Sequence, residues 1–444
     1  MRAWKNSIIS AALASALLLS GCGTEEISAV SLPQQESVSF PEQTTPESVS
    51  TEPTPPESTP AEQTTSESTP AEQTPPEDKP LPKPTEQQKA RFSERLSEIF
   101  TDYSVTGMSV ALFSDGETIH TENLGLADVG DKIPCTDNTR YRAASVSKTV
   151  TAMIMMSLCE KGLLSLDEPL SDAVGIAFDA AGSDEKITLS HLLTHTSGIY
   201  DTWSYENYPN ARLDINAILK NAHTGYAPGT VYCYSNFAAG ALGAVAEKAT
   251  GEFFHDYARD SFFAPLGMDA SYAADLLSDR ESAANIYEAG GTVYRVKTWR
   301  RTSDYYEKFG LGNSYYMAQG ELIITAPDLA RLGIALAGDG TVDGKRVLSE
   351  GSVKEMNTAR FCAPDFDMGL GVRIHDDIID GRVICGHPGN ALGAICGLYY
   401  DPADHTGVAI LTNGCLPTKD ENGFYSMLRE VLTEAYECYF SITE

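Results

Sequence analysis

Positive charge is scarce in this 444-residue chain: 32 Lys and Arg stand against 62 Asp and Glu, a formal net charge of −30 at pH 7. A nucleic-acid binder carries a basic footprint, so no nucleic-acid partner is expected. The patterns GxSxG, HExxH and GxxxxGK[ST] are all missing, which removes the nucleophile elbow, the helical zinc-protease site and the phosphate-cradling P-loop. There is no CxxC pair to suggest zinc or redox work, and no metal or organic cofactor is expected. Long apolar runs are lacking as well. The run from Ile8 to Leu19 falls short of the roughly 20 residues that a spanning helix needs.

What stands at the start is an export signal. Arg2 and Lys5 precede that apolar run, the layout of a secretory signal peptide. It ends in Leu19-Ser20-Gly21-Cys22, which resembles the lipobox of bacterial lipoproteins. The resemblance implies that residues 1–21 are removed and that the Cys22 sulfur is lipidated. Cys22 would then hold the protein on the outer face of the bacterial cell membrane, with the lipid bilayer as its partner. Residues 22–84 follow as a Pro-, Thr-, Glu- and Ser-rich stalk. Thirteen of the 23 prolines lie between Gly23 and Gln88, and the unit beginning Ser58-Thr-Pro-Ala-Glu-Gln63 recurs ten residues later at Ser68. Such a segment buries no core; proline and like charge keep it extended as a spacer.

Residues 85–444 are expected to form one folded domain. Thr85 to Phe100 places Phe92, Leu96 and Ile99 on one helical face. Gly107 to Phe113 and Glu117 to Leu126 surround Ser114-Asp115-Gly116, a hairpin signal. Ser145 to Leu163 is apolar all round in its middle, as a central buried helix is. Helical patterns with Gly and Pro breaks occupy Ile187 to Leu348. Strands return at Gly371–Ile374, Arg382–Gly386, Ala394–Tyr400 and Gly407–Thr412, before a closing helix over Asn422–Tyr439. This order predicts an α/β fold: an antiparallel sheet formed from both chain ends and flanked by helices, with an all-helical lobe inserted. Eight cysteines remain beside Cys22, and they are equally readable as small buried hydrophobes. If Cys385 and Cys396 flank a hairpin centred near Asn390 and Ala391, they face each other across antiparallel strands and can form a disulfide.

Ser145-Val146-Ser147-Lys148 carries the first chemical signal. A serine at a helix start with a lysine three positions on shares a face with it, so the amine can take the hydroxyl proton. Burial would lower the lysine pKa and make it a base near neutral pH. Spacing alone does not single it out, because Ser183-Asp-Glu-Lys186 matches too. Tyr234-Ser235-Asn236 offers a phenol and an amide, but Tyr205-Glu-Asn207 and Tyr208-Pro-Asn210 have the same form. His-x-Gly occurs at His223, His387 and His405.

The order of segments decides between them. Tyr141-Arg-Ala-Ala-Ser-Val-Ser-Lys148, Ile187-Thr-Leu-Ser-His-Leu-Leu-Thr-His-Thr-Ser-Gly198, Ala227-Pro-Gly-Thr-Val-Tyr-Cys-Tyr-Ser-Asn236, Pro265-Leu-Gly-Met268, Ala326-Pro-Asp-Leu-Ala330 and Gly386-His-Pro-Gly389 follow one another. Together they resemble the serine β-lactamase and penicillin-binding-protein-like hydrolases, in the branch of class C β-lactamases, DD-carboxypeptidases and related esterases. The resemblance runs from about Arg91 to the C-terminus. It implies an acyl-enzyme on Ser145, acid–base work shared by Lys148 and Tyr234, and Asn236 orienting a substrate amide. It places His387 where many relatives have lysine, with a weaker positive field. It also implies an oxyanion hole from the N–H groups of Ser145 and Asn390, with Gly389 letting substrate approach the strand.

His195 and Thr196 are assigned to structure, and His191, His223 and His405 to the surface or loops. Trp203, Tyr205 and Tyr208 are candidates for a substrate entrance. Two departures from the family pattern bear on substrate. Pro388 replaces a hydroxyl residue that helps hold a substrate carboxylate, and Glu321 replaces a glycine and would add negative charge if it faced the site. The expected activity is DD-peptidase-like hydrolysis of a small-molecule or peptide substrate carrying an amide or ester. Esterase, β-lactamase and a non-catalytic penicillin sensor are the alternatives.

Overall fold

The computed structural model describes residues 83–175, 183–202, 205, 222–291, 293–295, 301–313 and 315–441. Residues 1–82, which hold the expected signal peptide, Cys22 and most of the expected stalk, lie outside the described residues, as do Trp203 and Tyr208. No helix among the described residues is long and apolar enough to cross a membrane.

Nine strands form the main sheet: β1 (Gly107–Ser114), β2 (Glu117–Asp128), β3 (Ile133–Pro134), β4 (Phe361–Cys362), β5 (Asp367–Met368), β6 (Arg373–His375), β7 (Ile384–Ala391), β8 (Ala394–Asp401) and β9 (Thr406–Thr412). Their order is β4-β5-β6-β7-β8-β9-β1-β2-β3, and every neighbouring pair is antiparallel. The two chain ends meet at its centre, where β1 pairs β9 with Met108 opposite Thr412 and Phe113 opposite Gly407. The sheet expected from both termini is therefore present.

The helices that matter for the site are α1 (Glu86–Asp102), α2 (Ser147–Glu160), α3 (Asn236–Thr250), α4 (Phe254–Tyr257), α5 (Ser303–Glu307), α6 (Ala326–Ala337) and α7 (Ser426–Ala435). α1 starts at Thr85, whose hydroxyl accepts from the Gln88 N–H while Gln88 reaches back to the Thr85 N–H, so two end donors of the helix are satisfied. Side-chain alternation sends the two sides of each strand into different cores. Met108, Val110, Leu112, Ile395, Val408 and Ile410 pack with α1 and α7. Ala111, Phe113, Cys396, Leu398, Ala409 and Leu411 pack with α2, α3 and α6. α6 lies close against this second face because residue 333 is glycine: a Cβ there would stand 2.6 Å from the Phe113 ring.

Among the described residues, the insert between β3 and β4 carries helices but is not wholly helical. Three short two-stranded ribbons interrupt it, pairing Tyr141–Arg142 with Ile323–Ile324, Ile286–Tyr287 with Val293–Arg295, and Thr341–Val342 with Lys345–Arg346. The first ribbon fixes the chain immediately before α2. The turn between β7 and β8 falls at Leu392–Gly393, two residues later than expected, so β7 runs through His387, Pro388 and Gly389. Cys385 then pairs with Tyr400, and Cys396 with Gly389. The two cysteines are offset along the strands, and all eight cysteines among the described residues are free thiols.

Candidate active site

Ser145 sits in a 3₁₀ turn, Ala144–Val146, that leads into α2. Its backbone is forced: Ala144 has φ of 49°, a left-handed conformation that costs a non-glycine residue about 1 kcal/mol or more. The neighbours hold it there. The Ala143 N–H donates to the Leu322 carbonyl at 2.8 Å. The Ser147 hydroxyl donates to the Ala144 carbonyl at 2.6 Å and accepts from the Leu322 N–H at 3.1 Å. The second serine of the motif thus pins the turn that presents the first.

Lys148 is the second residue of α2, one helical turn on from Ser145, and is buried at 3% exposure. Its Nζ reaches the Ser145 hydroxyl at 3.0 Å, Asn236 Oδ1 at 2.9 Å and the Gln319 carbonyl at 2.8 Å. Burial drives its pKa well below the usual lysine value; Asp201 opposes this, and Arg142 and Arg373 reinforce it. The Tyr234 hydroxyl donates to Ser145 Oγ at 2.9 Å. Burial moves this phenol the other way, above its usual value. Both shifts favour the neutral forms, an amine that can accept a proton and a phenol that can donate one.

Asp201 organises the far side. Its carboxylate accepts from the Ser235 hydroxyl, both Asn236 nitrogens and the Phe237 N–H at 2.8–2.9 Å. It therefore satisfies end donors at the N-terminus of α3 and complements the positive end of the helix dipole. Asn236 is held at both ends of its amide, by Lys148 and by Asp201. His195 has the structural place expected of it: Nδ1 accepts from the Ser235 N–H at 3.3 Å, and its ring lies 4.5 Å from that of Tyr234.

His387, on β7, is 1% exposed, and its Nδ1 donates to the Pro388 carbonyl at 2.6 Å. Burial first, then Arg373 and Lys148, push the imidazole well below the usual histidine range. It is neutral near pH 7 and supplies no positive field of the kind expected. The nearby cation is Arg373 on β6, whose guanidinium lies 4.4 Å from the Phe366 ring and 5.9 Å from the Tyr234 ring. Its Nε is buried without a hydrogen-bond partner. Gly389 packs against the turn that carries Ser145. A Cβ there would come 2.6 Å from the Ala143 carbonyl, so the missing side chain makes room for the turn carrying Ser145. The Asn390 side chain is exposed and donates to the Tyr425 hydroxyl at 2.8 Å.

These groups open onto a cleft of about 690 Å³, lined by Ser145, Tyr234, Asn236, Arg373, His387 and Asn390 among others. Tyr205 also lines it, but its hydroxyl is turned to the Asn236 and Tyr315 carbonyls, which makes it a wall. Glu321 faces the cleft as well. Its charge is balanced by Arg142 at 2.8 Å and Arg301 at 3.3 Å, so the repulsion expected from it is offset. His191, His223 and His405 stay out of the lining. Sequence reasoning missed Asp201 and Arg373, since a lone loop aspartate and a strand arginine belong to none of the patterns considered.

A family model described as Beta-lactamase matches residues 52–428. Penicillin-binding protein 4 of Amycolatopsis lactamdurans is 29% identical over 363 residues, 78% of this chain and 90% of that protein. A beta-lactamase of Yersinia enterocolitica is 30% identical over 216 residues, 48% of this chain and 54% of its own. Among solved structures, the octameric penicillin-binding protein homologue from Pyrococcus abyssi superposes with a TM-score of 0.61 at 23% identity, covering 79% of this chain and 77% of that one. A class C beta-lactamase gives 0.62 at 20% identity over 78% of this chain and 96% of its own. At these identities the structural likeness bears on the fold.

Proposed function

The chain belongs to the beta-lactamase family of serine hydrolases, and from that premise we propose that it is an exported, Cys22-anchored DD-peptidase-like enzyme working through an acyl-enzyme on Ser145. The observation that carries this reading is the convergence of two neutral-leaning groups on one hydroxyl: Lys148 Nζ at 3.0 Å and Tyr234 Oη at 2.9 Å from Ser145 Oγ. In the forward step Lys148 takes the hydroxyl proton as Oγ attacks the substrate carbonyl. Tyr234 then delivers a proton to the leaving amine. The opposed pKa directions support that division. The Ser145 and Asn390 N–H groups are the oxyanion donors in this scheme.

Arg373 supports a substrate that ends in a carboxylate. It brings a permanent cation to the cleft beside a neutral His387, and it compensates for the hydroxyl that Pro388 lacks. An esterase is the second reading, favoured by Pro388 itself. The test uses the full-length chain in detergent, wild type beside Ser145→Ala, exposed to fluorescent penicillin, a fluorophosphonate and a D-alanyl-D-alanine peptide. Wild type is expected to gain a penicillin adduct by intact mass and to release D-alanine, and Ser145→Ala to lose both by roughly 10³-fold or more. Fluorophosphonate labelling without penicillin uptake moves the assignment to an esterase. A permanent adduct without turnover moves it to a sensor, and no labelling by any probe refutes Ser145 as nucleophile.

A further inference from the structure

A second cluster lies in the helical lobe, outside the cleft lining. His255 on α4 is fully buried, yet neither ring nitrogen has a hydrogen-bond partner. An imidazole without partners costs the fold the desolvation of its polar atoms. Two carboxylates approach it without closing a hydrogen bond: Asp256 Oδ2 at 3.6 Å and Glu307 Oε1, at the end of α5, at 3.5 Å from Nε2. One ligand atom from each of the three residues lies within 4.8 Å of the others.

These separations are long for hydrogen bonds and close to the edges of a metal tetrahedron. Bonds of about 2.0–2.1 Å from zinc to imidazole nitrogen and carboxylate oxygen place neighbouring donors about 3.3–3.4 Å apart. The surroundings fit a held ligand set. The Phe253 ring stacks on His255 at 5.6 Å, fixing the imidazole plane, and Arg259 takes the other Asp256 oxygen at 3.1 Å, orienting that carboxylate. Directly after α4 the chain runs as a π-helical turn, Ala258–Phe263, a conformation often found at functional positions.

We propose that His255, Asp256 and Glu307 bind one zinc-type divalent cation, with water completing the tetrahedron. A mixed nitrogen and oxygen set suits zinc better than calcium or magnesium, which take all-oxygen shells. The ion has a structural part. It ties α4 to α5, and α5 follows Arg301, whose guanidinium pairs with Glu321 and lies 4.4 Å from the Tyr316 ring in the cleft wall. Holding α5 therefore holds one side of the cleft without touching the reacting atoms.

The test takes the full-length chain in detergent, stripped with EDTA and titrated with zinc chloride, with magnesium and calcium chlorides as controls. Metal content after desalting and thermal midpoint are the two readouts. The expected result is one zinc per chain and a midpoint raised by zinc alone. Glu307→Gln and Asp256→Asn change partly exposed side chains at constant size. Each should weaken zinc by more than the roughly 10–100-fold that loss of an outer partner costs, and cobalt(II) in the wild type should give the visible absorption of a tetrahedral site. Failure of zinc to bind or to raise the midpoint overturns the proposal. Undiminished binding in both variants also overturns it, by placing the ion elsewhere, for instance at the exposed thiol of Cys362.

Discussion

Arg95 on α1 and Lys148 on α2 lie over opposite faces of the same sheet and meet their partners under opposite conditions. Arg95 is 37% exposed and pairs with Glu98, Glu430 and Glu434 at the rim of the α1–α7 layer. Water screens such pairs, so each contributes little to stability. Lys148 is buried and faces a hydroxyl, an amide and a carbonyl at 2.8–3.0 Å, with no carboxylate of the described residues in direct contact. Burying an ionisable group in this way costs several kcal/mol unless the group gives up its charge. The outer face of the sheet therefore spends its charges on solubility and packing. The inner face holds a lysine whose most comfortable form is the uncharged one, which is the form a base needs.

The sharpest way to break this contrast is Lys148→Met, which keeps the volume and removes the amine. Acylation of Ser145, followed as adduct mass against time, is expected to slow by roughly 10²–10⁴-fold; an unchanged rate would make the buried lysine a packing residue like any other. Next comes pH. Because the Lys148 pKa is lowered, the base is lost as pH falls through that lowered value, so acylation should show an acid limb of about tenfold per pH unit. The same shift has a sign for stability: the folded state is penalised at low pH, and the penalty is relieved as pH rises toward the unfolded lysine value. A flat acylation profile would count against Lys148 as base. A smaller effect is expected from Asp201→Asn, which weakens the charge-assisted bonds at the start of α3. It should cost about 1.5–3 kcal/mol in denaturant unfolding and slow acylation as Asn236 loosens. Smallest of all, Arg95→Ala should leave both the denaturant midpoint and acylation close to those of the wild type. A large loss there would show that the rim charges are not merely solvated.

Much of this arrangement is written in local patterns. Ser145 and Lys148 are one helical turn apart, and a helix start brings such a pair together whatever surrounds it. β1, β8 and β9 announce themselves by apolar runs, and β2 by the Ser114-Asp115-Gly116 turn that joins it to β1. β7 is harder, because His387-Pro388-Gly389 has the composition of a turn while continuing as strand. The reason lies in another segment: the Ala143 carbonyl occupies the place of a Cβ at residue 389, so glycine is demanded by tertiary contact. The same holds for Asp201 and Arg373. Asp201 reaches α3 from 35 residues upstream, and Arg373 reaches the cleft from β6 beside Gly386. Neither has a periodicity or a neighbouring motif to mark it. The expected bond between Cys385 and Cys396 failed for a related cause, since Leu392 and Gly393 at φ of 55° and 96° move the turn and with it the register.

The seam between β1 and β9 also dictates an order of assembly. Phe113 waits for Gly407, close to 300 residues later in the chain. Loop-closure entropy makes so distant a pairing slow. During synthesis the helices between can form while β1 and β2 stand as a hairpin with one bare edge, a surface open to mispairing with other chains. The middle of the sheet is completed last, when β9 slides in beside β1, and a chain stopped short of Thr406 is left with that edge unsealed.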